Sequence, residues 1–540
     1  MNPVLTKVFK RYLGAFIVLM AFSSLITIMT TAGTFFEGKL VDSLAYQADR
    51  SRFLDYFVIL TVFSGCRLFF SYFTSKVQFL KSQECIFDLN RSIISHLFGR
   101  DTLHVLAWDL TTLNSRINDD VNEIVSFYSR TWVFLTSNII TGIAVCGFIF
   151  FSNKAIFLFI AVFIPIYLAI YFFFKSKIYR TSLSVKNAQN EYFSSKNHLM
   201  IRYLGIKGRE SFKSELGRLI RKQNHLFRRT KSSFWVNYGL STSQIAIQLI
   251  FQITFIFAGG MAVLHKQITV GLFIVIIQYF SQLLSAIDNL LGASLTVQTY
   301  QVSLKRVSAI LNIADEKNGD YQIKTVNSIN VTNFNIKPFQ HNVNKLLYSR
   351  PLTFTFLPNH LYTITGDNGV GKSTFLYTLS GIYQPTYCGK LKINDLPLSK
   401  INLRDFRKNK LGFMLQDIPV PETTVVNYIK SVMSLNQMAR VLQDEEFRNV
   451  FQSDLFNINL LMNREIRNLS TGEWQLLKLF TTLSKPTASV FFLDEPTANI
   501  FPALREGVVN LLSSVSKHAI VITISHDEAI MAKGQVVNIV

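Results

Sequence analysis

The sequence predicts a multi-domain chain: an all-α transmembrane domain of six spanning helices, followed by an α/β domain that opens on a phosphate-binding loop. Three observations carry this. Six apolar stretches, each near the ~20 residues a spanning helix needs, can be drawn before residue 300. Residues 366–374 read GDNGVGKST, which fits the pattern G-x-x-x-x-G-K-[ST]. The 540 residues are 49% hydrophobic with 48 Phe, and their mean hydropathy is +0.26. That is too apolar for an ordinary soluble protein and requires a membrane around part of the chain.

The apolar stretches lie at about 12–34, 54–79, 131–151, 155–174, 241–264 and 270–293. The first is followed by Phe35–Ser43, which offers no small-residue cleavage site, so it reads as a retained membrane helix and not a removed signal peptide. Between the second and third stretches, Leu113, Ile117, Val121 and Ile124 recur at helical spacing, with Arg116, Asp119, Asp120 and Glu123 among them. This pattern predicts an amphipathic helix. A second amphipathic segment is expected around 199–216. After the last span, 301–313 keeps a helical pattern until DEKNGD at 315–320 breaks it. The expected domains are therefore a membrane domain over 1–313, a linker over 314–328 and a nucleotide-binding domain over 329–540.

Charge sets the expected orientation. From Lys175 to Lys231 there are 15 Lys/Arg against three acids, whereas the connections near 152–154 and 265–269 hold only Lys154 and Lys266. The long segments and both termini should face the cytoplasm. The same bias accounts for most of the net charge of +21, so membrane lipids and no nucleic acid are the expected surroundings. Cys66, Cys85, Cys146 and Cys388 show neither paired nor metal-ligand spacing, which fits a reduced cytosolic face. Arg67 falls near the middle of the second span and Asp288 near the inner end of the sixth. Buried charges are costly and often mark a pathway, so both are candidate cargo contacts, with Arg67 suited to a peptide carboxylate. The competing reading is that Arg67 snorkels or pairs with a neighbouring helix.

In the last third, Leu361–Thr365 is a short β-rich run and 373–380 opens a helix, so strand, glycine loop and helix follow in the order the motif requires. The loop Gly366, Asp367, Asn368, Gly369, Val370 and Gly371 would wrap phosphates with backbone N–H groups at a helix N-terminus. Lys372 would reach the terminal phosphates, and Ser373, followed by Thr374, would hold Mg²⁺. Downstream stand LSTGE at 469–473, VFFLDE at 490–495 and an SHD containing His526. The α/β domain is thus a P-loop NTPase driven by ATP.

Six spans with long basic extensions, SRINDDVNEI after the second span, and this fused domain together resemble an ABC transporter half-molecule of the exporter type. The resemblance covers nearly the whole chain. It implies a dimer with a second half-transporter, a homodimer or a heterodimer, with ATP held between the phosphate loop of one subunit and the signature of the other. It places the loop residues Gly366 to Thr374 on the phosphates, and Gln416, in LGFMLQD, at the glutamine that senses Mg²⁺ and the membrane domain. Ser470 and Gly472, with Glu473, fall on the signature that contacts the γ-phosphate. Asp494 matches the magnesium-organising carboxylate, Glu495 the general base and His526 the γ-phosphate sensor. Phosphoryl transfer depends mainly on positioning and charge neutralisation, so adjacent carboxylates can divide the work. Asp494 would stay ionised beside the metal, while Glu495 would lie near the water.

Four positions depart from the family pattern, among them Trp474 and Leu476, which stand where basic residues usually follow the signature. Thr471 stands where the family usually has Gly, and its β-branch is expected to restrict the backbone and alter nucleotide clamping. Phe501 replaces an aspartate that normally links the two ATP sites. Phe334, Phe339 and Tyr348 are the candidates for stacking on adenine. An LSTG-type signature on a short half-transporter resembles bacterial exporters of cyclic or ribosomally made peptides, including bacteriocins and microcins. That implies a matured peptide, or another amphipathic cargo, at a bacterial plasma membrane. No peptidase-like extension precedes the first span, so leader cleavage is expected to need another protein. The alternatives on the same fold are a lipid or multidrug flippase and a weakly hydrolysing ABC regulator or channel; Glu495 argues against the last.

Overall fold

The structure, a computed structural model, describes residues 2–47, 50–108, 110–337, 346–416 and 418–540. A hydroxyl in lipid must find an acceptor, and the first helix, α1 (Pro3–Asp42), supplies them from its own backbone. Ser24, Thr27, Thr30, Thr31 and Thr34 each donate to the carbonyl four residues back. The hydroxyl donors of this polar run are thereby satisfied within the helix, and Thr34 Oγ1 also accepts from Gln282. There follow α2 (Arg50–Leu97), α3 (Thr102–Leu106), α4 (Leu110–Ser126), α5 (Trp132–Ser152), α6 (Lys154–Ile201), α7 (Tyr203–Gly208), α8 (Phe212–Leu264) and α9 (Val270–Leu311). Among the described residues six helical stretches are long and apolar enough to cross a membrane, and the six predicted spans fall within these helices. The chain is a multi-pass membrane protein. Phe69, Phe173, Ile253 and Phe257 stay exposed on these helices, surfaces that lipid or a second subunit would cover.

The predicted stripe on α4 is buried: Leu113, Ile117, Val121 and Ile124 all face inward. The segment around 199–216 is not the single amphipathic helix expected. α6 ends at Ile201, α7 is a short turn of helix, and α8 starts at Phe212, with Glu210 at φ 49° reversing the chain. α6 and α8 pack side by side, so the chain has to turn back between them, and an apolar period cannot report that reversal.

Contacts divide the chain into two units, Met1–Ser95 with Asn114–Leu311, and His96–Leu113 with Asn312–Val540. In the first, α1, α5 and α9 pack against one another beside the α6–α8 pair. The second is built on β1 (Ile329–Ile336), β2 (Leu352–Phe356), β3 (Leu361–Thr365), β4 (Tyr387–Ile393), β5 (Leu396–Pro397), β6 (Leu411–Met414), β7 (Val490–Asp494), β8 (Ile520–Ile524) and β9 (Gln535–Asn538). An antiparallel sheet has the order β2-β1-β4-β5, and a parallel sheet the order β6-β7-β8-β3-β9. Every residue of β7 (VFFLD) and β8 (IVITI) is buried, the unbroken apolar run of strands covered on both faces. The carboxyl ends of β6, β7, β8 and β3 therefore lie side by side, where open parallel sheets present ligand sites.

Candidate nucleotide site and membrane cavity

Those four strand ends deliver the predicted residues. β3 runs into the loop 366–371, β6 leads to Gln416, β7 ends on Asp494 with Glu495 next, and β8 leads to His526. The loop closes into α10 (Lys372–Leu379), whose N-cap is Gly371 at φ 101° with no side-chain cap. Glycine alone holds that conformation cheaply, and a Cβ there would stand 2.9 Å from Leu347 Cδ2. Uncapped N–H groups at a helix N-terminus are what a phosphate anion needs, so these residues fit a polyphosphate. Lys372 is buried, and its Nζ donates to the carbonyls of Gly366 at 2.6 Å and Asp367 at 3.2 Å. The same Nζ lies 3.3 Å from His526 Nε2, which joins the loop to the end of β8.

Beneath the loop, Tyr348 Oη donates to the Gly371 carbonyl at 3.2 Å, while Asn335 holds the Tyr348 backbone through two hydrogen bonds. Phe334 and Tyr348 are 0% and 2% exposed, Phe334 packing on Tyr348 and Phe375, so neither offers a ring face to adenine. Phe339 lies outside the described residues.

Glu495 adopts φ 51°, and its N–H donates to Ile524 O at 2.9 Å, which ties the end of β7 to β8. Partial burial pushes its carboxyl above the ordinary carboxylate range; His526 and Lys372 pull it back, and Asp494 raises it further. A proton acceptor tuned upward and still partly exposed suits general-base work. Asp494 is buried. With the Ser373 hydroxyl it offers the hard oxygen donors that Mg²⁺ prefers. The Gln416 side chain is exposed.

Two functional positions escaped sequence reasoning. On the helix Thr471–Leu483, the buried Gln475 donates to the Glu495 carbonyl at 2.7 Å. One turn further, the buried Lys478 donates to the Gln416 carbonyl at 3.1 Å. This helix therefore fixes the backbone at both the general-base candidate and Gln416. The available signal was polar side chains at positions of a helix where every residue from Trp474 to Thr481 is buried.

The same helix starts with the signature. Ser470 Oγ accepts from Glu473 N, and the Glu473 carboxylate accepts from Ser470 N, a reciprocal cap. Thr471 is its first residue, exposed and in helical conformation. Gly472 is the position that needs glycine, because a Cβ would stand 2.6 Å from Asn499 O. Ser470, Gly472 and Glu473 meet one another, Arg464 and Asn499, and among the described residues they make no hydrogen bond to the phosphate loop. Phe501 is 48% exposed at the start of the helix Pro502–Ser516.

In the membrane unit a cavity of about 960 Å³ is bounded by α4, α5, α6 and α9. Asp288 lines it; Arg67 does not, and lies on an exposed face of α2. Asn289, Thr296, Thr299 and Ser303 carry the polar lining along α9, and Glu123, Arg130 and Lys186 contribute charge from the other helices.

A helical membrane domain and a P-loop α/β domain with these residues at its strand ends define an ATP-binding membrane transporter. The chain belongs to the ABC transporter family: residues 16–287 match the family described as ABC transporter transmembrane region, and residues 349–498 that described as ABC transporter. Proteins of this family use ATP hydrolysis to drive transport. The chain is similar to a lactococcin transport/processing ATP-binding protein, LcnC-like, of Lactococcus lactis subsp. lactis (23% identity, 84% of this chain, 64% of that protein). It is also similar to the nisin transport ATP-binding protein NisT of Lactococcus lactis subsp. lactis (26%, 50% of this chain, 46% of that protein). A third relative is the pediocin PA-1 transport/processing ATP-binding protein PedD of Pediococcus acidilactici (22%, 94% of this chain, 70% of that protein). The chain thus spans less than two thirds of the first two relatives. Its fold matches that of a bacterial Atm1-family ABC exporter with ATP bound, at a TM-score of 0.78 and 15% identity over 99% of this chain and 94% of the other.

Proposed function

We propose that the chain exports a matured peptide across a bacterial plasma membrane, as a dimer with a second half-transporter and by alternating access. The observation that carries the proposal is the convergence of Lys372, Asp494, Glu495 and His526 on adjacent strand ends, in a chain that also holds a polar cavity within its membrane unit. The names of the lactococcin, nisin and pediocin relatives supply the cargo class.

In this reading the loop and the α10 N-terminus hold the phosphates of ATP, and Lys372 exchanges its loop carbonyls for phosphate oxygens. Ser373, Asp494 and Gln416 hold Mg²⁺, which when bound neutralises phosphate charge. Glu495 orients and deprotonates water, with its backbone fixed by Gln475, while His526 faces the terminal phosphate. Ser470 and Gly472 complete the site of the second subunit. Closure of the two α/β domains on ATP, and their release after hydrolysis, would switch the membrane domain between its inward and outward forms. The α/β domain lies in the cytoplasm.

ATPase activity of the purified protein in lipid tests this, comparing the natural chain with Glu495→Gln, with and without a peptide panel. Activity that rises with a peptide and disappears in the variant is expected. An inactive natural chain would count against a hydrolysing homodimer and turn attention to a partner subunit or a regulatory role.

A further inference from the structure

Asp288 sits on α9 within the sixth apolar span, and both its oxygens are occupied by neutral donors. Tyr167 Oη on α6 donates to Oδ2, and Gln244 Nε2 on α8 donates to Oδ1 at 2.5 Å. Among the described residues no Lys, Arg or His comes within ion-pair distance of this carboxylate. The bases of the same cavity lie elsewhere along it: Lys186 stands nineteen residues beyond Tyr167 on α6, roughly 28 Å at the helical rise. Arg306 stands eighteen residues further along α9, roughly 27 Å at the helical rise, and is paired with Asp120 at 3.5 Å. Arg130 is eight residues, roughly 12 Å, before Asn138, whose side chain accepts from Asn289. One end of the cavity therefore carries a pre-oriented carboxylate and no compensating cation.

A charge in a spanning segment is costly, and two hydrogen bonds from separate helices favour the ionised carboxylate without pairing it with a cation. Resting on the export reading above, we propose that Asp288 is the cargo-selecting residue of this cavity, and that it binds the ammonium group of a cationic peptide, a lysine side chain or the N-terminal amine. Tyr167 and Gln244 orient the carboxylate, and the uncharged lining of Asn289, Thr296 and Thr299 accommodates the peptide backbone beside it. The volume lies at the upper end of the roughly 300–1,000 Å³ of ligand pockets, enough for a few residues of a peptide at a time.

The test uses one lysine-containing amphipathic peptide and its fully N-acetylated form, read as ATP-dependent uptake into inverted vesicles and as the concentration giving half-maximal ATPase stimulation. The natural chain should prefer the cationic form by about tenfold or more. Asp288→Asn should abolish that preference, Asp288→Glu should retain part of it, and Tyr167→Phe, which removes a hydrogen bond but no charge, should keep it. Equal response of the natural chain to both forms overturns the inference and leaves export standing. Equal loss of preference in Asp288→Asn and Tyr167→Phe also overturns it, because a merely structural role predicts that result. If neither form is taken up, the peptide-export reading fails and this inference fails with it.

Discussion

At the residue scale, Glu495 links structure to a measurable pH dependence. Burial raises its carboxyl above the ordinary value of 4.5, so the folded chain keeps this proton at pH values where the unfolded chain has lost it. Stability contributed at this position therefore falls as pH rises from the unfolded pKa through the raised folded one. Glu495→Gln should unfold at a higher temperature than the natural chain at neutral pH, with the difference shrinking below pH 4.5. In the proposed base role activity runs the other way, because a base works only when ionised. Hydrolysis should decline on acidification around a midpoint above 4.5. A pH–rate profile whose acid limb sits at or below that value would remove the base role or the burial argument. Gln475 belongs to the same unit, since its amide fixes the Glu495 carbonyl.

At the element scale, a three-part clamp holds the segment before α3 in the second unit. Arg100 pairs with Asp315 at 2.6 Å, Asp101 N donates to Ala314 O, and Glu316 N donates to Gly99 O, so 99–101 and 314–316 form a short antiparallel join. The nearly buried Glu316 carboxylate then accepts from Arg404 at 3.1 Å and Arg407 at 2.5 Å, while Arg404 also donates to Gly99 O. Removing one partner of a buried ion pair is costly, although Arg404 is half exposed and solvent screens part of the loss. Glu316→Gln should destabilise the chain by roughly 1–3 kcal/mol in denaturant and speed hydrogen exchange across 99–106. Exchange unchanged over that segment would show that the backbone join alone holds it. Nothing in the sequence announces this clamp. DEKNGD reads as a polar breaker, and the arginines that give Glu316 its role lie about ninety positions away. The spans and the loop were legible for the opposite reason: a helix in lipid needs a long local apolar run, and a phosphate cradle needs a local run of glycines. Gln475, Lys478 and the donors to Asp288 become functional only through packing between distant segments, and helical spacing alone did not show that Arg67 points away from the cavity while Asp288 faces it.

At the scale of the whole molecule, the charge distribution makes a claim that a natural reporter can check. Fifteen Lys/Arg between Lys175 and Lys231, against three acids, predict that the long helical extensions and the α/β domain face the cytoplasm. Of the four cysteines, Cys85 is buried, Cys66 and Cys146 are partly covered on spanning helices, and Cys388 is exposed on β4 of the α/β unit. A thiol is modified in its ionised form from water, so a charged maleimide that cannot cross the bilayer should find Cys388 and miss the cysteines set in lipid-covered helices. In intact cells the natural chain should stay unlabelled, and labelling should appear on permeabilisation and vanish in Cys388→Ser. Labelling of Cys388 from outside would invert the topology, and with it the inward-facing supply of ATP that an exporter requires. Labelling that persists in Cys388→Ser after permeabilisation would mean either that water reaches Cys66 or Cys146, which an aqueous path through the membrane unit would allow and a lipid-sealed one would not, or that the buried Cys85, on α2 beyond the second apolar stretch, becomes exposed.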